Sequence, residues 1–181
     1  MGDFKKAAEL VEEINKGLNE YKGKIQWNRV SYLYIEIAFT FFGLNNYKMA
    51  LKWINRLLNE KDGGKKINIF IRPAKILNLL IHFEMGNKDL LESLIKSEQR
   101  FFEKDKLQYR TEIVFVNFLK ELITHENKAS VIDMMNDLRI KMKKDHKENT
   151  NYDTIQYWLE SKIMRKSFAE AVKSKTLDSL L

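Results

Sequence analysis

The sequence predicts an all-α chain built from antiparallel helix pairs, and three observations predict it. Apolar residues recur at helical spacing almost from end to end. One Pro and seven Gly in 181 residues are too few turn formers for a loop-rich β fold. Turns between neighbouring helices return at a nearly constant interval, set out below. The length suits a single domain with its own core. An apolar fraction of 44% is too large for a disordered chain, although 31% of the residues are charged. With no Cys, disulfide scaffolds, thiol nucleophiles and Cys-based metal sites are excluded.

The elements follow in order. Phe4, Ala7, Ala8, Val11, Ile14, Leu18 and Tyr21 form one stripe, so residues 3–22 read as an amphipathic helix with Asp3 as N-cap and Gly23 as stop. The next helix, about 25–43, is apolar on nearly every side, so neighbours must cover it or it must line a groove. Asn45-Asn46 is a turn, 47–60 a third helix, and Asp62-Gly63-Gly64-Lys65-Lys66 a loop. The fourth helix ends near Met85. Pro73 fits a first turn best, because it has no N–H, yet residues 67–71 are also compatible with helix. Gly86-Asn87 is a stop followed by a cap for the helix 88–104. Asp105 to Gln108 has capping-box spacing and opens 106–124. Asn127 caps 128–146, and Asn149 to Asn151 is a polar turn before 152–165. Ser167-Phe168-Ala169-Glu170 is a second capping box that opens a short last helix to about 175, with a tail from Thr176 to Leu181.

Aligning the turns inside each pair matches Phe42-Gly43-Leu44-Asn45-Asn46 to Phe83-Glu84-Met85-Gly86-Asn87. Five positions past Asn45 stands Ala50; its equivalents are Leu91, Val131 and Ala171, separated by 41, 40 and 40 residues. The first pair carries Tyr34, Ile37-Ala38 and Phe41, then Tyr47, Ala50, Ile54 and Leu57. The third carries Phe115, Phe118-Leu119 and Leu122, then Val131, Met135 and Leu138. The second (Asn78-Leu79, His82, Leu91, Ile95) and the last (Ile155, Trp158-Leu159, Ala171) keep less of the pattern.

On these residues, roughly 31–175, the chain resembles a divergent tetratricopeptide-repeat (TPR) protein. It departs from that family in its period, about 40 residues against the usual 34. Leu57 and Leu138 stand where a small residue is usual, and the family's terminal Pro is absent. The resemblance implies a right-handed α-α superhelix of about four antiparallel pairs (25–60, 67–104, 106–146, 152–175). The helix 3–22 precedes them, and the whole forms one domain over 1–181. Stretches such as Gly86 to Leu91 and Trp158 to Lys162 are similar to segments of long bacterial helical-repeat proteins, and the Lys-, Asn- and Ile-rich composition suits a bacterial origin.

The formal charge of +7 raises the question of nucleic acid. Its distribution argues against it: residues 1–60, 61–104, 105–150 and 151–181 carry +2, +3, +1 and +1. Phosphate binding needs cations gathered on one face, and 25 of the 32 are Lys rather than the bidentate Arg. The densest patch, Lys141, Lys143, Lys144 and Lys147, is diluted by Asp145 and Glu148 and reads as a solvated helix end. No stretch is long and apolar enough to span a membrane. Met1 to Lys6 shows no signal-peptide pattern, and Lys6 stands where a myristoylation start has Ser or Thr. The expectation is a cytoplasmic protein. Opening inside a helical pattern, the chain reads as a piece of something longer.

Catalytic chemistry has few candidates. His82, His125 and His146 form no i, i+4 pair of zinc-binding type. His82, between Ile81 and Phe83, reads as a packed residue, and His125 suits a helix C-terminus. Gly63-Gly64-Lys65 lacks the upstream Gly and strand of a phosphate loop. Glu9, Glu12 and Glu13 are surrounded by Lys5, Lys6 and Lys16 and read as surface ion pairs. No catalytic, metal or cofactor residue is assigned. What the TPR resemblance implies is a concave inner face lined by Tyr32, Ile35, Phe39 and Phe42, then Ile76, Leu80 and Phe83, then Ile113, Val116, Lys120 and Ile123. So large an apolar surface is either covered by the N-terminal helix and its neighbours or receives a partner helix or peptide. The expected function is a non-enzymatic scaffold for a protein or peptide partner, compatible with a homo-oligomer. The alternative is a regulatory module of a larger transcription-related protein, contacting nucleic acid or a regulator.

Overall fold

The structure, a computed structural model, describes residues 3–59, 68–104, 110–125, 128–144 and 150–178. Among them every regular element is an α-helix and no strand occurs. The loop at 62–66, the capping box at 105–108, the cap at Asn127, His146 and the last three residues lie outside the described set, as do the side chains of Lys143, Lys144 and Lys147. The chain divides into two compact units, Met1–Met85 and Gly86–Leu181.

The first unit holds α1 (Phe4–Glu9), α2 (Val11–Glu20), α3 (Trp27–Gly43), α4 (Tyr47–Asn59) and α5 (Asn68–Glu84). Asp3 caps α1 as expected, accepting from the Lys6 N–H at 3.3 Å. The single helix expected over 3–22 is instead broken at Leu10, whose N–H bonds to the Ala7 carbonyl in a tighter turn. The α3–α4 turn is a Schellman motif. Asn45 takes a left-handed φ of 56°, its N–H bonds to the Phe42 carbonyl, and the Asn46 N–H bonds to that of Phe41. Asn46 then caps α4 through the Met49 N–H. Pro73 sits in the second turn of α5 rather than the first. It forfeits the bond to the Ile69 carbonyl, at about 3 kcal/mol in a helix interior. Burial of Ile71, Ala74, Ile76 and Leu77 on either side offsets that loss.

Helix α3 packs on α4 and α5, and α1 lies across α3. Phe4 seats its ring where α3 has no side chain: a Cβ on Gly43 would stand 2.6 Å from it. The same ring meets Phe39 at 5.7 Å between centroids. Ile37, Ala38, Phe42, Ala50, Trp53, Ile54 and Leu57 are buried, as helical periodicity requires of the inner stripe. Tyr47 ties α4 to α5. Its hydroxyl donates to Asn45 Oδ1 at 3.0 Å and faces Glu84 Oε2 at 3.4 Å. Burial, with the Glu84 charge behind it, pushes the phenol up to about 12.

The second unit holds α6 (Lys88–Lys104), α7 (Arg110–Thr124), α8 (Lys128–Lys144), α9 (Thr150–Ile163) and α10 (Phe168–Asp178). Each packs on the next, and α7 also reaches α9. The core is aromatic. Phe115 meets Trp158 edge-on at 6.0 Å and lies beside Phe118 at 6.4 Å, and Leu119, Met135, Leu138, Ile155 and Leu159 fill the remainder. Three boundaries differ from expectation. Thr150 and Asn151 are helical rather than a turn, α9 ends at Ile163 rather than at 165, and α10 runs through Thr176 to Asp178 instead of ending near 175. Asn and Thr are acceptable in a first helical turn, which explains the first difference. The second capping box forms in full: Glu170 N–H donates to Ser167 Oγ, and Ser167 N–H to Glu170 Oε2 at 2.8 Å. Those bonds hold the Glu170 carboxyl below its usual range. The α9–α10 turn is a second Schellman motif, with Arg165 at φ 53°.

Candidate functional site

An opening lies in the first unit, where the α2–α3 turn faces the end of α4. The turn itself is dictated by Gly23, whose φ of +79° favours a residue without a side chain. It directs the chain so that Trp27 and Val30 of α3 face Leu18 of α2 and Asn55, Arg56 and Asn59 of α4. These residues, with Asn19, Tyr21, Lys22, Ile25 and Tyr34, line a cleft of about 760 Å³. Leu18, Ile25, Trp27, Val30, Tyr34 and Arg56 are half-buried, whereas Asn19, Tyr21, Lys22, Asn55 and Asn59 are exposed at the rim.

A ladder of rings stands behind the cleft. Trp27 meets Tyr34 edge-on at 6.3 Å, and Tyr34 meets Trp53 at 5.6 Å. The Arg56 guanidinium lies 4.2 Å over the Trp53 ring. Its Nη1 donates to Asn15 Oδ1 on α2 at 2.8 Å. A cation over a tryptophan face gains roughly 0.5–2 kcal/mol, and here the contact also fixes the fork of donors in place. Trp53 is buried, and its Nε1–H has no hydrogen-bond partner among the described residues. The carboxamides of Asn19, Asn55 and Asn59 make no hydrogen bond among the described residues. Among the described residues no Asp or Glu lines the cleft, and the charged side chains on its lining are Lys22 and Arg56.

The residues mapped onto an inner face from the repeat pattern are distributed differently. Phe42, Ile76, Leu80 and Val116 are buried, so an incoming chain reaches them only if something first moves away. Ile35, Phe39, Phe83, Ile113 and Ile123 are half-buried. Tyr32 and Lys120 are exposed. Seven lie in the first unit, and Ile113, Val116, Lys120 and Ile123 in the second. Over Phe39 the covering group is Phe4 of α1. The period-related positions Ala50, Leu91 and Ala171 are buried, while Val131 is half-buried.

His82 is buried on α5, and that burial lowers its pKa below 6.5. His125 Nε2 is hydrogen-bonded to Ser130 Oγ, tying the end of α7 to the start of α8. Among the described residues no group of three or more His, Asp or Glu stands close enough to hold a metal ion. No described helix is long and apolar enough to cross a membrane.

The cleft was not singled out by periodicity, since Tyr34 and Trp53 also satisfy a core pattern. The signal that points to it is Trp53 and Arg56 at i, i+3, a spacing that places a guanidinium over a ring. Comparison with protein families, curated proteins and solved structures gave no match to this chain.

Proposed function

We propose that the chain is a non-enzymatic interaction module that binds an extended segment of a partner protein in the cleft between α2, α3 and α4. The observation that carries this reading is the set of three carboxamides, without a hydrogen bond among the described residues, at the rim of an aromatic-walled opening. A primary amide both donates and accepts, so it complements the N–H and C=O of an extended main chain. The aromatic walls supply apolar area without long, flexible side chains. The repeat pattern supports the rest of the reading: helix hairpins stacked as a right-handed TPR-like superhelix in a bacterial cytoplasm.

A random-peptide display selection on the whole chain tests it, repeated on Tyr34→Ala and Trp27→Ala variants shown to be folded by circular dichroism. Peptides enriched on the parent chain should be lost on both variants. Absence of any enrichment that depends on these two side chains would end the proposal. Phe39→Glu is the control: it strikes the Phe4 contact, so it should loosen α1 while leaving cleft binding intact.

A further inference from the structure

Resting on that peptide-binding reading, the geometry points to an acidic partner segment, with a carboxylate taken by Arg56 and Lys22 and an adjacent apolar side chain laid on Trp27 and Tyr34. Charge decides the sign. Among the described residues the cleft is lined by two cations and no carboxylate, in a chain of net charge +7. A basic segment would meet like charge from Lys22 and Arg56 there; an acidic one would not.

Arg56 is built to receive such a group. It is half-buried and pinned between the Trp53 face and Asn15, which occupies one of its five donors. The remaining donors form a pre-set fork, so a carboxylate binds them without first freezing a flexible side chain. Lys22, exposed on the α2–α3 turn that lines the cleft, adds a second charge. Helix α3 opens onto the same cleft at Trp27 and receives no side-chain cap from Gln26, so the positive end of its dipole adds to the field. Trp27 and Tyr34 meet edge-on, forming a wall rather than a slot for a flat ring. That geometry suits a peptide side chain lying against the wall better than a nucleobase sandwiched between two faces.

The test uses three random copolymers: Glu with Tyr, Lys with Tyr, and a neutral Gln–Tyr peptide, titrated against the full chain by tryptophan fluorescence and calorimetry. Because the chain is basic overall, any polyanion is drawn to it weakly, so the comparison lies between two variants that lose the same charge. Lys22→Gln with Arg56→Gln removes both cleft cations; Lys48→Gln with Lys52→Gln removes two exposed cations of α4 that do not line the cleft. The Glu–Tyr copolymer should bind, and the cleft variant should weaken it by about tenfold or more, as loss of a charge-assisted contact does. The α4 variant should change it by less than about threefold. Lys22→Gln alone, on an exposed side chain, keeps the test valid if Arg56→Gln unfolds the chain, and should produce part of the loss.

Equal weakening by both variants would reduce the effect to diffuse attraction and overturn the inference. Cleft-dependent binding of the Gln–Tyr peptide as tight as that of the acidic one would overturn it too, while leaving the peptide-binding reading standing. No cleft-dependent binding of any copolymer would end both. Cleft-dependent binding of a single-stranded oligonucleotide in preference to the acidic copolymer would replace the inference with a nucleic-acid site.

Discussion

The two units solve the same packing problem with different materials. The first fastens its outer helix by a knob in a notch: the Phe4 ring fills the space that Gly43 leaves on α3. The second is built around an aromatic cluster at Trp158 and Phe115, and it also encloses Gln156, fully buried with neither end of its carboxamide hydrogen-bonded among the described residues. Their surface openings differ in the same way. The first-unit cleft has rings, amides and cations. The smaller one between α7 and α8, about 350 Å³, mixes Glu121 and Asp137 with Lys141 and apolar Phe118 and Leu138. Helix hairpins specify how cores meet; they leave the chemistry of the open ends to a few side chains at the rim.

The largest test of this contrast is Trp158→Ala. Removing a fully buried indole should cost about 3–5 kcal/mol, read as a shift in the urea midpoint. A loss below about 1 kcal/mol would mean that the second unit does not depend on its aromatic cluster. Next comes Gly43→Ala, which places a methyl group 2.6–2.7 Å from three atoms of the Phe4 ring. The ring must leave its notch, forfeiting about 1.5–3 kcal/mol of phenylalanine burial. Amide exchange in α1 should accelerate, and Phe4→Ala added on top should change little, because both changes remove one contact. Unchanged exchange would show that the notch does not hold α1.

Gln156→Met moves stability the other way. It replaces an unpartnered buried amide by an apolar group of similar size, and should stabilise the chain by about 1–3 kcal/mol. Destabilisation would show that the amide is satisfied in solution. The smallest effect is the pH response of His82. Burial keeps its folded pKa below 6.5, so on acidification the unfolded chain takes up a proton first. Stability should therefore decline as pH falls below 6.5, until the folded imidazole also titrates. His82→Gln should flatten that slope, measured by denaturation at a series of pH values. A slope unchanged by the substitution would place its cause elsewhere.

Much of this architecture was legible in the chain. The stripes that predicted buried Ile37, Ala38, Ile54, Phe115, Leu119 and Leu159 work because a helix shows one face to its neighbours, and that face is local information. The turns were equally legible, since Asn45-Asn46 and Ser167 to Glu170 carry their own hydrogen-bonding logic within a few residues. Pro73 left the start of α5 open between a first turn at the proline and a helix already running through 67–71; the second holds from Asn68, because burial of Ile71 and Ala74 overrides the local cost. The cleft was harder to find. Trp27, Tyr34, Trp53, Arg56 and Asn15 come from three helices, and a ring at a core-like position reads the same whether it faces a neighbour or an opening.

By itself, then, the sequence determined that this protein is helical, where most helices begin and end, and which side of each is apolar. These follow from periodicity and capping, which act over a turn or two of chain. Only the tertiary structure decided that Phe4 lies over Gly43 and Phe39, that Phe42 and Val116 are core, and that Trp27, Tyr34 and Arg56 share one cleft with Lys22. Burial and ring contact depend on which helices become neighbours, and that is settled by packing among segments far apart in the chain.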